Sequence, residues 1–256
     1  YSADFHNHAT AYLMAELFER HDNEKFELFA FSFGPDTKDK MQIRVSQAFD
    51  HFINVTSLSD IEVALLSREL DIDIAVDLKG VTQDARLGIF SYRAAPIQVS
   101  YLGYPGTLGA DYIDYLIADK TLIPTQSQQH YSEKIVYLPD RYQVNDRHRD
   151  IASTQFTRQE LGLPEDAFVF CCFNNNYKIS SAEFDIWMRL LNNIKGSVLW
   201  LRKSNEISHL NMKKEAAKRN IDPSRLVFAD RVPMDEHLAR QRLSDLFVDT
   251  FAFNAH

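Results

Sequence analysis

The sequence predicts an α/β protein built on parallel sheets. Short strand-like runs alternate with helix-like segments through nearly all 256 residues. Several helix starts carry a Ser or Thr followed three residues later by Glu, the reciprocal capping pattern. Polar residues and glycines cluster where strands end, the edge at which open α/β sheets bind ligands.

Taken in order, Phe26–Phe33 reads as a strand rich in Phe with alternating polar positions. Ser59 and Glu62 open a helix that runs to about Leu70. Ile72–Leu78, Ile97–Val99, Tyr115–Ala118 and Lys134–Leu138 read as further strands. The apolar rhythm stops between Asp140 and Phe156, which marks a boundary between residues 1–150 and 151–256. Thr157 and Glu160 form a second capping pattern, with Gly162 ending a short helix. Ala167–Cys172 reads as a strand. Ser180 and Glu183 open a helix whose Phe184, Trp187, Met188 and Leu191 share one face. Ser197–Leu201, Arg225–Phe228 and Leu246–Asp249 read as strands, and 206–219 and 234–243 as helices. Tyr1–Phe5 reads as the tail of a strand and Phe251–His256 as a loop after one, so the second unit is expected to be truncated here.

Hydrophobic residues make up 45% and aromatics 12%, enough to fill real cores. Thirty-six acidic against 28 basic residues give a net charge of −8, which argues against a dedicated nucleic-acid binder. No apolar run approaches the ~20 residues of a membrane span. The two cysteines, Cys171 and Cys172, are adjacent in a strand and so point to opposite faces. A disulfide between them is implausible, and the chain reads as cytosolic and reduced.

Several constellations suggest chemistry. Phe173–Ile179, directly after a strand, carries Asn174, Asn175, Asn176 and Lys178: amides and a cation suited to a phosphorylated, hydrogen-bonding ligand, or to an ordinary solvated loop. His8 follows Asp4 and His6 before a helix with Leu13, Met14, Leu17 and Phe18 on one face. It is a candidate general base or a capping histidine. The Asp4, His6 and His8 spacing makes a metal site only with ligands from elsewhere, and none is evident. Lys79-Gly80-Val81-Thr82 closes a strand as a ligand contact or a tight turn. Leu102-Gly103-Tyr104-Pro105-Gly106-Thr107-Leu108-Gly109 holds three of the chain's eight glycines. Its backbone amides, with Gly106 and Thr107, suit a pocket wall, and Tyr104 a stacking surface. His237 and Arg240, three apart on the 234–243 helix, are candidate donors to a diphosphate or base near a helix start. The absence of a GxGxxG or Walker pattern disfavours an ordinary dinucleotide or P-loop site.

These pieces occur together and in order. Ser2–His8, Arg93–Gln98, Leu102–Thr107, Tyr131–Lys134, Phe173-Asn174 with Tyr177-Lys178-Ile179, Ser197–Leu201 and Glu236-His237-Leu238 resemble the catalytic region of the protein O-GlcNAc transferases, glycosyltransferase family 41. That family includes the SPINDLY-type proteins, and its bacterial members look most similar. The resemblance implies a GT-B architecture, two Rossmann-like domains with the active site in the cleft between them. Residues 1–150 would be the acceptor-side domain, and 151–256 the beginning of the nucleotide-sugar domain. It implies an inverting enzyme that moves N-acetylglucosamine from UDP-GlcNAc to Ser or Thr hydroxyls of proteins, with no cofactor and no obligatory metal. His8 then matches a catalytic or substrate-contacting histidine, and Lys178 the lysine on the diphosphate. Asn175 falls where animal members carry glutamine. Val232 would meet the base through its backbone, with His237 and Arg240 at the nucleotide. His256 would open a His-Thr-Thr stretch on the diphosphate. Met234 stands where animal members have lysine, and Val81 replaces an aromatic. Tetratricopeptide repeats are expected upstream in the complete protein. The partners implied are a nucleotide-sugar and a protein acceptor, with neither nucleic acid nor membrane. The competing readings are a SPINDLY-like transferase using GDP-fucose, a catalytically inactive nucleotide-sugar-binding fragment, and a GT-B epimerase.

Overall fold

Hydrogen bonding draws the start of the chain into the middle of a sheet. In the computed structural model, which describes residues 1–255, the strands β1 (Phe29–Ser32) and β2 (His51–Asn54) pair in parallel. The parallel strands β3 (Ile74–Asp77), β4 (Ile97–Ser100), β5 (Tyr115–Ala118) and β6 (Lys134–Tyr137) form a second ladder. Tyr1 and Ser2 join them. Ser2 donates to Phe31 O and accepts from Phe33 N, while Tyr1 donates to Val76 O and accepts from Leu78 N. The first segment is therefore central, with two strands on one side and four on the other. Reversal of strand order at this segment is the topological switch of a doubly wound sheet.

Helices cover both faces of this unit, Tyr1–Arg149. On one side α1 (Ala9–Glu19) and α2 (Lys40–Gln47) bury Leu13, Met14, Phe18, Met41 and Val45 against Phe5, Leu78 and Tyr101. On the other, α3 (Asp60–Glu69) and α4 (Gly88–Ser91) bury Val63, Ala64, Ile89 and Phe90 against Tyr1, Phe31 and Ala75. Full cover of both faces is what a parallel sheet requires. The Ser59–Glu62 pair forms its capping box as expected. Strand β2 and helix α2 were not foreseen: β2 is short and only half-buried, and α2 is capped by Asp39, with Gln42 reaching back to the Lys38 amide, rather than by a Ser or Thr with Glu.

The second unit starts at Asp150. Its sheet runs β10 (Leu246–Phe247), β7 (Val169–Cys172), β8 (Val198–Arg202), β9 (Leu226–Ala229), all parallel. The first strand again sits inside, and order reverses between β7 and β10. Helices α5 (Ser181–Asn193) and α6 (Glu206–Lys218) cover one face, and α7 (Met234–Gln241) follows β9. Phe184, Trp187, Met188 and Leu191 of α5 are all buried, on Phe170, Leu199 and Leu201. Cys172 packs in that cluster and Cys171 in the opposite one with Val169 and Trp200. Around Thr157 the expectation is corrected in part. Glu160 closes the box on Thr157, and Gly162 has φ +69°, yet residues between them form turns rather than a helix.

Candidate active site

In the first unit the crevice at the switch point is built from the loops after Ala3 and after β3. Lys79 Nζ donates to Asp4 Oδ2 at 2.7 Å, with the two side chains 5% and 9% exposed. Lys79 was expected as a ligand contact or as part of a tight turn; the turn forms and carries the ammonium inward. Asp77 makes that turn by accepting the amides of Lys79 and Gly80, and burial pushes its carboxyl above the usual range. Desolvating two charges is tolerated because each meets its opposite.

His8 stands on the other side of Asp4. It is the N-cap of α1, where Nδ1 accepts the Thr10 amide at 3.3 Å, and Nδ1 also lies 3.4 Å from Asp4 Oδ2. Burial, and then the nearby Lys79 and His6, hold its pKa below the ordinary value, while Asp4 pulls it the other way. The net direction favours neutral imidazole near pH 7. Thr10 and Asp4 compete for Nδ1. Only when Nδ1 carries the proton, turned to Asp4, is Nε2 free to accept one.

The glycine-rich loop packs on this crevice. A Cβ at Gly103 would lie 2.1 Å from Leu78 O, so only glycine lets the loop backbone rest on the end of β3. Gly80, at φ +60°, would drive a Cβ to 2.4 Å from Tyr104 Cβ. Tyr104 thus lies over Gly80, and Gly106 lies against the Tyr104 ring. Thr107 serves the loop itself. Its hydroxyl donates to Glu133, which is buried, and accepts the amides of Gly109 and Ser132. The Arg93–Gln98 string is likewise structural. Arg93 grips Asp114 and two carbonyls, and fully buried Gln98 ties Ala94, Phe90 and Tyr112 together.

In the second unit the loops after β7 and β10 meet. Asn174 Nδ2 donates to Asp249 Oδ1 at 2.9 Å and to Thr250 Oγ1 at 2.8 Å, so this amide is spent on joining the loops. Asn175, half-buried, donates through Nδ2 to Tyr177 Oη at 3.3 Å. Lys178 Nζ donates to Asn254 O at 3.2 Å and sits 4.3 Å from the centre of the Phe253 ring. An ammonium has three donors, so capacity remains for an anion.

Arg240 was expected at the nucleotide. It is buried, donates to Asp230 O at 2.8 Å and to Nδ1 of His237, and lies over the Phe173 and Trp200 rings. A guanidinium only donates, so His237 accepts at Nδ1 and the neutral ring carries its proton on Nε2, 2.9 Å from the side-chain amide of Gln241. Burial, with Arg240 adding to it, lowers the His237 pKa, which keeps the ring neutral. Phe173, whose role was not foreseen, is the contact between the two groups of predicted residues. It opens the Lys178 loop and meets the His237 ring edge-on at 4.8 Å. Half-buried Val232 and exposed Met234 lie at the start of α7. His256 lies outside the described residues. Among the described residues no group of three or more His, Cys, Asp or Glu side chains is placed to hold a metal ion, and no helix is long and apolar enough to cross a membrane.

Comparison with known proteins gives these loops a family context. The model of glycosyl transferase family 41 matches residues 1–155 and 149–256. The Arabidopsis thaliana protein named probable UDP-N-acetylglucosamine--peptide N-acetylglucosaminyltransferase SEC is 36% identical over 260 residues, covering 100% of this chain and 27% of the relative. A Caenorhabditis elegans UDP-N-acetylglucosamine--peptide N-acetylglucosaminyltransferase is 25% identical, again over 100% of this chain and 32% of its own. A solved point-mutant structure of the Thermobaculum terrenum O-GlcNAc transferase superposes with TM-score 0.88 at 27% identity, covering 99% of this chain and 48% of that one. The chain thus spans between a quarter and a third of the length of these curated relatives.

Proposed function

The chain belongs to glycosyl transferase family 41, and from that premise we propose that it is the catalytic region of an inverting protein glycosyltransferase using UDP-GlcNAc. One observation carries the reading: Lys178 is held at the switch-point crevice of the second unit with donors to spare. In an open α/β sheet that crevice is where ligands bind, and a cation there suits a diphosphate.

In the proposed reaction the oxygen of an acceptor Ser or Thr attacks the anomeric carbon of the sugar. The bond from that carbon to the diphosphate oxygen breaks, and the electron pair leaves with UDP. Negative charge grows on the departing phosphate, and Lys178 is fixed where it neutralises that charge without reorganising. Arg240 orients His237 from behind through Nδ1, and His237 Nε2, which the Gln241 side chain holds at 2.9 Å, becomes a neutral donor to the nucleotide by exchanging Gln241 for it. The second unit supplies the donor site and the first the acceptor side. There the neutral His8 is a candidate to take the hydroxyl proton at Nε2, with Asp4 supporting the imidazolium that forms. A phosphate oxygen of the donor is the competing acceptor for that proton.

The printed names of the relatives, SPINDLY-type ones included, carry UDP-GlcNAc, which favours a uridine donor over GDP-fucose. Thermal unfolding of the gene's complete product with each nucleotide tests this. UDP should raise the melting temperature and GDP should not; the reverse result would overturn the donor assignment.

A further inference from the structure

Among the described residues three Ser/Thr–Glu capping boxes form, and one of them does more than cap. Glu62 accepts the amide and hydroxyl of Ser59, and Glu160 those of Thr157, in each case through a single oxygen, Oε2. Both glutamates are exposed, and among the described residues neither accepts a hydrogen bond from outside its own box. Glu183 also accepts the amide and hydroxyl of Ser180 through Oε2. Its other oxygen, Oε1, accepts the amide of Phe251 at 2.8 Å and of Ala252 at 3.4 Å. The side chain is buried, although most glutamates at a helix start face water.

These four donors come from the two loops that form the crevice. Ser180 lies two residues beyond Lys178. Phe251 and Ala252 lie just before Asn254, whose carbonyl takes the Lys178 ammonium. We infer that Glu183 is a positioning residue for donor binding, its carboxylate setting the spacing between the Lys178 segment and the loop after β10. This rests on the reading that Lys178 meets the diphosphate. The Phe251 amide is the chief cause that holds the Glu183 carboxyl below its ordinary range, so the bridge is made by the charged form. Charge-assisted acceptors of this kind are shorter and stronger than neutral ones. The bridge acts on a spacing that bound diphosphate would share in ground and transition states alike. Its loss therefore weakens binding more than turnover.

Calorimetric titration of UDP and steady-state kinetics on the complete gene product test this. Glu183→Asp keeps a charged acceptor for Ser180 but draws the second oxygen back from Phe251. It should raise the UDP Kd and the donor KM by about tenfold, the lower scale for losing a hydrogen bond to a charged group, with kcat nearly unchanged. If Glu183→Asp does not fold, Glu183→Gln, which keeps the length and one acceptor, carries the same measurement with the same expected rise. Glu160→Gln is the matched control: it disrupts a capping box that touches no second loop, and should lower stability while leaving UDP affinity alone. Parental UDP affinity in the folded Glu183 variant, or an equal loss in Glu160→Gln, overturns the inference. Lys178→Ala separates the two levels. If Lys178→Ala weakens UDP while the Glu183 variant does not, only the role of Glu183 fails. If Lys178→Ala itself binds UDP like the parent, the donor-site reading fails with it.

Discussion

Lys79 Nζ lies 2.7 Å from Asp4 Oδ2, and the pair joins the loops after the first extended segment and after β3 beneath the surface. Removing one member leaves a buried charge without a partner, which costs about 3–5 kcal/mol. Lys79→Met and Asp4→Asn should each destabilise the first unit by that order in urea unfolding. The double variant should lose clearly less than the sum of the two. Additive losses would mean that the charges do not depend on each other.

Lys178 faces its loop partners through one carbonyl and one ring. If its ammonium meets charge that grows as UDP leaves, Lys178→Ala should slow transfer by more than about tenfold while the protein stays folded. Turnover close to parental in a single-turnover assay would remove Lys178 from the chemistry.

Glu16 of α1 is buried and accepts three nitrogens of Arg147, and Arg20 besides. Arg147, through its side chain first and its amide next, holds the Glu16 carboxyl far below its ordinary 4.5. A depressed carboxyl contributes stability that is complete above its unfolded value and is lost as pH falls through the folded one. The segment around Arg147 should therefore loosen from α1 as pH drops below about 4.5, seen as faster amide exchange at Arg147. Glu16→Gln should show that exchange already at pH 7 and flatten the acid limb of the stability curve.

Much of this was legible in the sequence where local chemistry decides. Ser59 with Glu62 and Ser180 with Glu183 announced α3 and α5, because a capping box is a short-range pattern. The α5 stripe was legible for the same reason of spacing. The end of β7 drew attention as a ligand edge, and the fold places Lys178 there. What escaped was everything settled by long-range packing. Nothing local tells that Lys79 turns inward to Asp4, or that Arg240 donates to Asp230 and His237. Asn174 looked like a ligand contact; its partners, Asp249 and Thr250, lie far along the chain and are brought close only by the pairing of β7 with β10. The Thr157 box had the right residues, but too few apolar positions follow to hold a helix.

Cys171 and Cys172 occupy the central strand of the second unit and are the only thiols in the chain. Burial raises both, Cys172 to about 11, so neither offers a reactive thiolate in the folded state. Within these 256 residues a thiol-specific reagent would therefore find no target while the second unit is folded, and would modify only molecules whose second sheet has opened. The first unit, having no cysteine, would be silent. Within residues 1–256 the native sequence thus carries its own chemical clock for the second unit, able to time its opening without any introduced probe.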